Sequence, residues 1–269
     1  KLQEMKDKGE KITMVTAYDY STACLVEKAG IDVILIGDSL MMTMLGDDST
    51  VACTMDQMIH HTKPVVLGAP NTHIVTDMPF GSYNVSKEEA IKNATRMLKE
   101  GRCDAVKLEG GREIAETIKA IVDAGIPVMG HIGLTPQTVS KLGGFKVQGK
   151  GDAAKDVLED ALAVEAAGAY SIVLECIPEQ LGKLITEKLR IPTIGIGGGR
   201  FTDGQVMVYH DMVGLFEKFI PKFVKQYINL GPEIIKALET YKEEVKSGAF
   251  PGEEHTFGGV SEEELKRLY

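Results

Sequence analysis

A closed (β/α)8 barrel of the TIM type is the architecture that this 269-residue chain implies. Three observations point there. Eight short, β-rich apolar runs alternate with helical patterns, as βα units require. Runs such as Asp32-Val33-Ile34-Leu35-Ile36-Gly37 are apolar almost without a break, as in parallel strands buried on both faces. No low-complexity linker divides the chain, and its length is ordinary for a single barrel. A doubly wound open sheet shares the alternation but needs two edge strands, and every run reads as buried. The expectation is one α/β domain over residues 1–269, with extra helices after the eighth strand.

In chain order, Lys11 to Ala17 is the first strand, followed by a helix from Tyr20 to Lys28 that stops at Gly30. Asp32 to Gly37 is the second, ending in Asp38-Ser39; Leu40 to Cys53 is long, methionine-bearing and irregular. Thr54-x-x-Gln57 has the form of a capping box for a helix reaching Leu67. The third strand, Asn71 to Thr76, ends in Asp77, and Ser86-x-x-Glu89 opens a helix through Lys99 that Gly101 closes. Asp104 to Glu109 is the fourth strand, before a helix from Glu113 to Ala124. Ile126 to Gly130 leads to His131 and a polar, glycine-rich loop, Leu134 to Gly151, after which Asp152 is placed to cap a helix running to Ala167. Ser171 to Leu174 ends in Glu175; a helix over Glu179 to Lys188 precedes the seventh strand, Ile191 to Ile196. Gln205 to His210 reads as the eighth. Helices are expected over Lys222–Leu230, Pro232–Ser247 and after the capping box Ser261-x-x-Glu264.

A formal net charge of -9 argues against non-specific nucleic-acid binding, which needs a basic surface. No apolar run is long enough to span a bilayer, so no membrane partner is expected. Cys24, Cys53, Cys103 and Cys176 are far apart and show no C-x-x-C, which favours free thiols over disulfides or zinc. With no secretory or transit signal in the sequence, which begins at Lys1, a cytoplasmic location is expected.

Barrel enzymes carry their active sites at the carboxyl ends of the strands. Here those ends read Asp38-Ser39, Asp77, Lys107 with Glu109, His131 and Glu175. Strand residues alternate faces, so Lys107 and Glu109 point the same way. Several carboxylates in one place repel unless some protonate or a cation sits among them. Oxygen ligands without clustered cysteines suit a hard ion such as Mg2+. Each residue also has a plainer reading. Asp38 and Asp77 are common turn formers, Lys107 and Glu109 can be a partly buried ion pair, and His131 by itself reads as a hydrogen-bonded core histidine. Glu175 is harder to set aside: between Ser-Ile-Val-Leu and Cys-Ile-Pro its surroundings are apolar, and burial raises a carboxyl toward the range of a general base. His60-His61 lies in a helix with the rings facing different ways. Gly195-x-Gly197-Gly198-Gly199 lacks the spacing of a dinucleotide loop and the lysine of a P-loop, and the glycines can equally keep a pocket wall thin. Met41, Met42 and Met44 are placed to line an apolar pocket.

Several long motifs together resemble a known family. Val15-Thr16-Ala17-Tyr18-Asp19, Gly37-Asp38-Ser39-Leu40, Val106 to Gly111, and Gly130-His131-Ile132-Gly133-Leu134-Thr135-Pro136-Gln137 are similar to those of ketopantoate hydroxymethyltransferases (3-methyl-2-oxobutanoate hydroxymethyltransferases). So are Gly143 to Gly149, Leu174-Glu175-Cys176-Ile177-Pro178, Thr202-Asp203-Gly204-Gln205 and Pro251-Gly252-Glu253-Glu254-His255. The turn Gly198-Gly199-Arg200-Phe201 departs from the family's usual pattern. The resemblance implies a (β/α)8 enzyme of pantothenate and coenzyme A biosynthesis that moves a hydroxymethyl group from 5,10-methylenetetrahydrofolate to 3-methyl-2-oxobutanoate. It implies that Asp38, Asp77 and Glu109 hold Mg2+, Glu109 directly or through water. It further implies that Asp38, Ser39, Asp77, Lys107 and His131 meet the keto acid and that Glu175 accepts the proton. A homo-oligomer, commonly a decamer, is implied as well.

Two other readings stay open at this point. One is a Mg2+-dependent lyase passing through a similar enolate, although the Lys-Lys-Cys-Gly-His motif of isocitrate lyases is absent. The other is a barrel that binds a keto acid or folate without turning it over.

Overall fold

The apolar runs close on themselves in chain order, each strand parallel to the next and β8 pairing back with β1. The structure, a computed structural model, describes residues 1–269. The strands are β1 (Ile12–Thr16), β2 (Val33–Ile36), β3 (His73–Asp77), β4 (Ala105–Glu109), β5 (Val128–Gly133), β6 (Ser171–Glu175), β7 (Thr193–Ile196) and β8 (Gly204–Met207). Closure leaves no edge, which removes the open-sheet alternative. The seam depends on Gly204, paired with Ile12; a Cβ there would lie 2.5 Å from the Ile12 carbonyl oxygen.

Strand periodicity divides the apolar residues into two layers. Met14, Val33, Leu35, Val75, Ala105, Met129, Val173, Ile194 and Val206 fill the barrel interior, and Leu2 from the amino-terminal helix closes the far end. The alternate residues, among them Ile34, Ile36, Val106, Leu108, Ile172 and Leu174, pack outward against the helical jacket.

Most element ends fall where capping chemistry predicts. Thr54 and Gln57 form the reciprocal capping box of the helix Met55–Gly68, and Ser261 and Glu264 form that of Glu262–Lys266. Ser86 accepts from Glu89 N to open Lys87–Arg96. That helix continues as a wider turn over Met97–Gly101, and Arg102 then takes the left-handed conformation. Asp152 sits at the cap position of Ala153–Ala166 but makes no capping bond, because its backbone is already helical.

Four expectations need correction. The eighth strand ends at Met207: Tyr209 N donates to Thr16 Oγ1, and a short helix, Tyr209–Met212, turns the chain outward. β7 starts only at Thr193, after Pro192, which has no N–H for a ladder. The irregular segment after Asp38 begins with a helical turn, Leu40–Thr43. No helix forms over Lys222–Leu230; Tyr227 N and Leu230 N bond instead to the carbonyls of Met212 and Val213, and the helix begins at Leu230. That helix, Leu230–Ser247, has no buried residue. No helix is long and apolar enough to cross a membrane.

Candidate active site

The interior apolar layer sets the orientation of the site. Two residues on from Val75, Ala105, Met129 and Val173 stand Asp77, Lys107, His131 and Glu175, so the two-residue period aims all four into the barrel mouth. Glu109 follows Lys107 on the same face. The strand registers then fix neighbours: Asp77 is level with Lys107, and Glu109 with His131. Asp38 and Ser39 arrive from the turn after β2.

Lys107 is the hub. Its Nζ lies 3.0 Å from Asp77 Oδ1 and 3.1 Å from His131 Nδ1, with all three side chains buried. Burial by itself would lower the ammonium, but Asp77, Glu109 and Asp38 outweigh it and raise Lys107 to about 12. Asp77 also accepts from Asp38 N through Oδ2 at 3.1 Å, which ties the β2 and β3 ends together. Burial, reinforced by Asp77 and Glu109, pushes the Asp38 carboxyl well above the usual range. Burial likewise raises Asp77, with Lys107 opposing it. Burial pushes Glu109 up too, but His131 and Lys107 pull it below its ordinary value.

His131 is a buried bridge. Its Nε2 lies 3.0 Å from Glu175 Oε2, without the alignment of a hydrogen bond, and its Nδ1 is 3.5 Å from Glu109 Oε1. Burial and Lys107 push the imidazole down; Glu109 and Glu175 more than offset them and hold it up, to about 9. The close approach of the Lys107 ammonium asks for the opposite, a bare acceptor at Nδ1. Two N–H donors cannot share that 3.1 Å gap, so the contact governs Nδ1 and the ring's proton sits on Nε2, facing Glu175. Glu175 was expected among apolar groups; it instead has His131 for company and keeps 14% of its side-chain surface open to the cavity.

Two residues that the strand-end pattern misses complete the site. Gln137 is buried, and its Nε2 donates to Asp38 Oδ2 at 2.8 Å and to Met78 O at 3.0 Å. Its backbone N donates to Glu109 Oε2 at 3.0 Å, and its Oε1 accepts from Tyr83 OH at 2.5 Å. Flipping the amide would set an oxygen against two acceptors, so the network fixes its orientation. The only sequence signal was Thr135-Pro136-Gln137, a proline-led helical turn whose first N–H groups are free to reach a carboxylate. Ser39 is held by Tyr18, OH to Oγ 2.7 Å. His61 lies outside the site, its Nδ1 bonded to Tyr18 O, while His60 is exposed.

Cys176, directly after Glu175, has a φ of 47°, rare for a residue with a Cβ. The turn presents two carbonyls to the long loop: Leu134 N donates to Glu175 O, and Gln148 N to Cys176 O, both at 2.9 Å.

The carboxylates surround Lys107 rather than converging on one point, and no three His, Cys, Asp or Glu side chains form a ready metal cage. The donor set still fits a hard cation. Asp38 and Asp77 are adjacent, Asp77 Oδ1 has no aligned hydrogen-bond donor, and four carboxylates face one lysine and one histidine. Mg2+ takes one or two carboxylates directly and fills its other positions with water, so it needs no three-carboxylate cage.

Above this floor the cavity, about 410 Å3, widens into an apolar mouth that includes Met42, Leu134, Phe145, Phe216, Phe219 and Phe223. Of the three loop methionines only Met42 lines it; Met41 is buried and Met44 exposed. The glycines after β7 are filled by protein: a Cβ on Gly197 would meet the Phe223 ring at 2.8 Å, and one on Gly199 would meet Glu179.

The family model for ketopantoate hydroxymethyltransferase matches residues 1–253. A 3-methyl-2-oxobutanoate hydroxymethyltransferase from Heliobacterium modesticaldum is 61% identical over 268 residues, covering 99% of this chain and 96% of the relative. One from Enterococcus faecalis is 55% identical, covering 99% and 97%. Among solved structures, phosphonopyruvate hydrolase in complex with oxalate and Mg++ superposes with a TM-score of 0.62 at 12% identity, covering 99% of this chain and 93% of that one. A 2,3-dimethylmalate lyase of the PEP mutase/isocitrate lyase superfamily gives 0.61 at 14%, covering 99% and 92%. These structures share the barrel fold.

Proposed function

The chain belongs to the ketopantoate hydroxymethyltransferase family, a family of transferases, and from that premise we propose that it moves a one-carbon unit from 5,10-methylenetetrahydrofolate to 3-methyl-2-oxobutanoate. The products are 2-dehydropantoate, on the route to pantothenate and coenzyme A, and tetrahydrofolate. The balance takes one water. The C3–H bond of the keto acid and both C–N bonds that hold the one-carbon unit to the folate break, C3 bonds to that carbon, and the water oxygen becomes the new hydroxyl; the proton from C3 and one from water end on the two freed nitrogens of tetrahydrofolate. The one-carbon unit is formally reduced by one unit as C3 is oxidised by one, so the step is redox-neutral and no electron carrier is needed.

Lys107 neutralises the keto acid's carboxylate, and Asp38, Ser39 and Asp77 position its polar end at the β2 and β3 termini. Asp38 and Asp77 would hold Mg2+, with Glu109 engaged through water. Bound there, the ion supplies stabilisation of the charge that grows on the ketone oxygen. Glu175 takes the C3 proton. His131, with its N–H toward Glu175, orients that carboxylate and joins it electrostatically to the Lys107 hub.

The observation that carries this reading is the grouping of Asp38, Asp77, Lys107 and Glu109 on one side of the floor with Glu175 and His131 beside them. The test is deuterium exchange at C3 in D2O. Glu175→Gln lowers exchange by about a thousandfold or more, in the range of a positioned base, while keto acid binding stays within about tenfold. Wild-type-like exchange in that variant removes Glu175 from the role. Turnover of the keto acid by the wild-type enzyme without folate would favour a lyase instead.

A homo-oligomer is part of the proposal. Ile234, Leu238, Tyr241 and Val245 form a stripe at helical spacing on Leu230–Ser247, all exposed, and a second copy of the chain would cover them. The cytoplasmic placement is supported by four cysteines that are all unpaired.

A further inference from the structure

β1 ends without a charged side chain, but it brings hydroxyls. Thr16 stands two residues on from Met14 of the interior layer, so it too faces the barrel mouth. Tyr18 follows it, and only 1% of its surface is exposed. The residue is gripped at both ends. His61 Nδ1 bonds to its carbonyl oxygen at 2.8 Å, and the His210 ring stacks on the phenol ring with centroids 5.5 Å apart.

A buried phenol needs partners for its hydroxyl. This one meets Ser39 Oγ at 2.7 Å, and the hydroxyls of Thr16 and Thr43 also approach it. Thr16, Ser39 and Thr43 all line the cavity. Burial raises the phenol to about 12, so it keeps its proton at neutral pH. Ser39 is itself diverted from an ordinary role. It occupies the cap position of Leu40–Thr43, where a serine usually accepts from N–H groups of the first turn, yet it makes no capping bond. Its Oγ lies instead over Gly37, where a Cβ would stand only 2.8 Å away.

A backbone donor sets the order of the protons. Tyr209 N donates to Thr16 Oγ1 at 2.9 Å, so that hydroxyl accepts there and turns its own proton toward the Tyr18 oxygen. Thr43 Oγ1 spends its proton on Ser39 O. We propose that Tyr18 is a positioning residue: it donates to Ser39 Oγ and leaves the serine's own proton aimed at the bound keto acid. The relay then runs from Tyr209 N–H through Thr16, Tyr18 and Ser39 to the ligand. The assignment rests on the proposed reaction, in which Ser39 meets the keto acid, and adds what fixes that contact. Hydroxyls in series polarise one another, so the last of them is a stronger donor than a lone serine. It is also a donor only, which suits the oxygens of a 2-oxo acid.

The experiment is a double-mutant cycle on the Kd of 3-methyl-2-oxobutanoate, measured by calorimetry on the full chain with Mg2+. Ser39→Ala and Tyr18→Phe are each expected to raise Kd about tenfold, the loss of one hydrogen bond to a charged ligand. The double variant should lie within about twofold of Ser39→Ala, because Tyr18 acts only through the serine. Ile118→Val, buried in the helical jacket, is the control for lost stability and should bind as wild type does. Thr16→Val should weaken binding and Thr16→Ser restore it, and this pair carries the test if Tyr18→Phe does not fold. Wild-type affinity in Tyr18→Phe overturns the proposal, as do effects that multiply in the double variant or a Thr16→Ser as weak as Thr16→Val. Wild-type affinity in Ser39→Ala would take the serine off the keto acid and the relay with it. A wild-type protein that does not bind the keto acid at all would instead sink the proposed function itself.

Discussion

Replacing Gln137 with methionine keeps the length of the side chain and the backbone N–H to Glu109 but deletes the amide. Two donated bonds disappear, one to the carboxylate of Asp38 and one to Met78 O. A hydrogen bond to a charged group contributes about 1.5–3 kcal/mol and a neutral one about 1 kcal/mol. Tyr83 is spared, because its hydroxyl also lies 3.1 Å from Glu109 O and can settle there. The expected loss is about 2–4 kcal/mol of folding stability, read from the urea midpoint. Asp38 is freed to rotate while Glu109 stays in place, so C3 exchange is expected to fall about 10–100-fold, or about 1.4–2.8 kcal/mol. Added Mg2+ should also raise the melting temperature less than in wild type, because a disordered Asp38 binds it more weakly. A stability change below about 0.5 kcal/mol, together with wild-type exchange, would refute the view that this amide holds the β2 end in place.

Lys107→Met strands a buried Asp77 and is expected to destabilise the fold by about 3–5 kcal/mol. Adding Asp77→Asn should recover part of the loss, and a double variant no more stable than the single would show that the pair is not coupled. Burial pushes the Asp211 carboxyl up to about 6, so ionising it costs the folded state. That penalty is absent below about pH 4 and complete above about pH 6, and for a partly buried group it is on the order of 1–2 kcal/mol. Asp211→Asn should therefore raise the urea midpoint at pH 8 and leave it unchanged at pH 4; the reverse order would sink the argument. Leu238→Glu, on the exposed stripe of Leu230–Ser247, should shift the sedimentation coefficient toward the monomer, and an unaltered value would remove that face from the assembly.

The barrel and much of its floor were legible because both follow a period of two. Val75, Ala105, Met129 and Val173 read as strand interior, and the polar residues two positions on inherit their direction. Pairing by register then needs only the strand order. Gln137 and Tyr83 were not legible, since their partners Asp38, in the turn after β2, and Glu109, at the end of β4, lie far away in sequence and no local spacing links them. The surroundings of Glu175 were misjudged for the same reason: the neighbouring sequence is apolar, but its nearest polar group, His131, comes from β5. The Lys222–Leu230 stretch looked helical from composition, yet its N–H groups satisfy carbonyls on Met212 and Val213, a tertiary competition that local pattern does not record.

The unusual backbone at Cys176 has a consequence beyond the turn itself. Because the loop between Leu134 and Gln148 hangs from the carbonyls of Glu175 and Cys176, the peptide planes flanking the proposed base are also the anchor points of the cavity's outer wall. The backbone that aims the carboxylate is thus the same backbone that holds the wall in place, and Cys176→Gly, which widens the choice of φ at that residue, is expected to loosen both together.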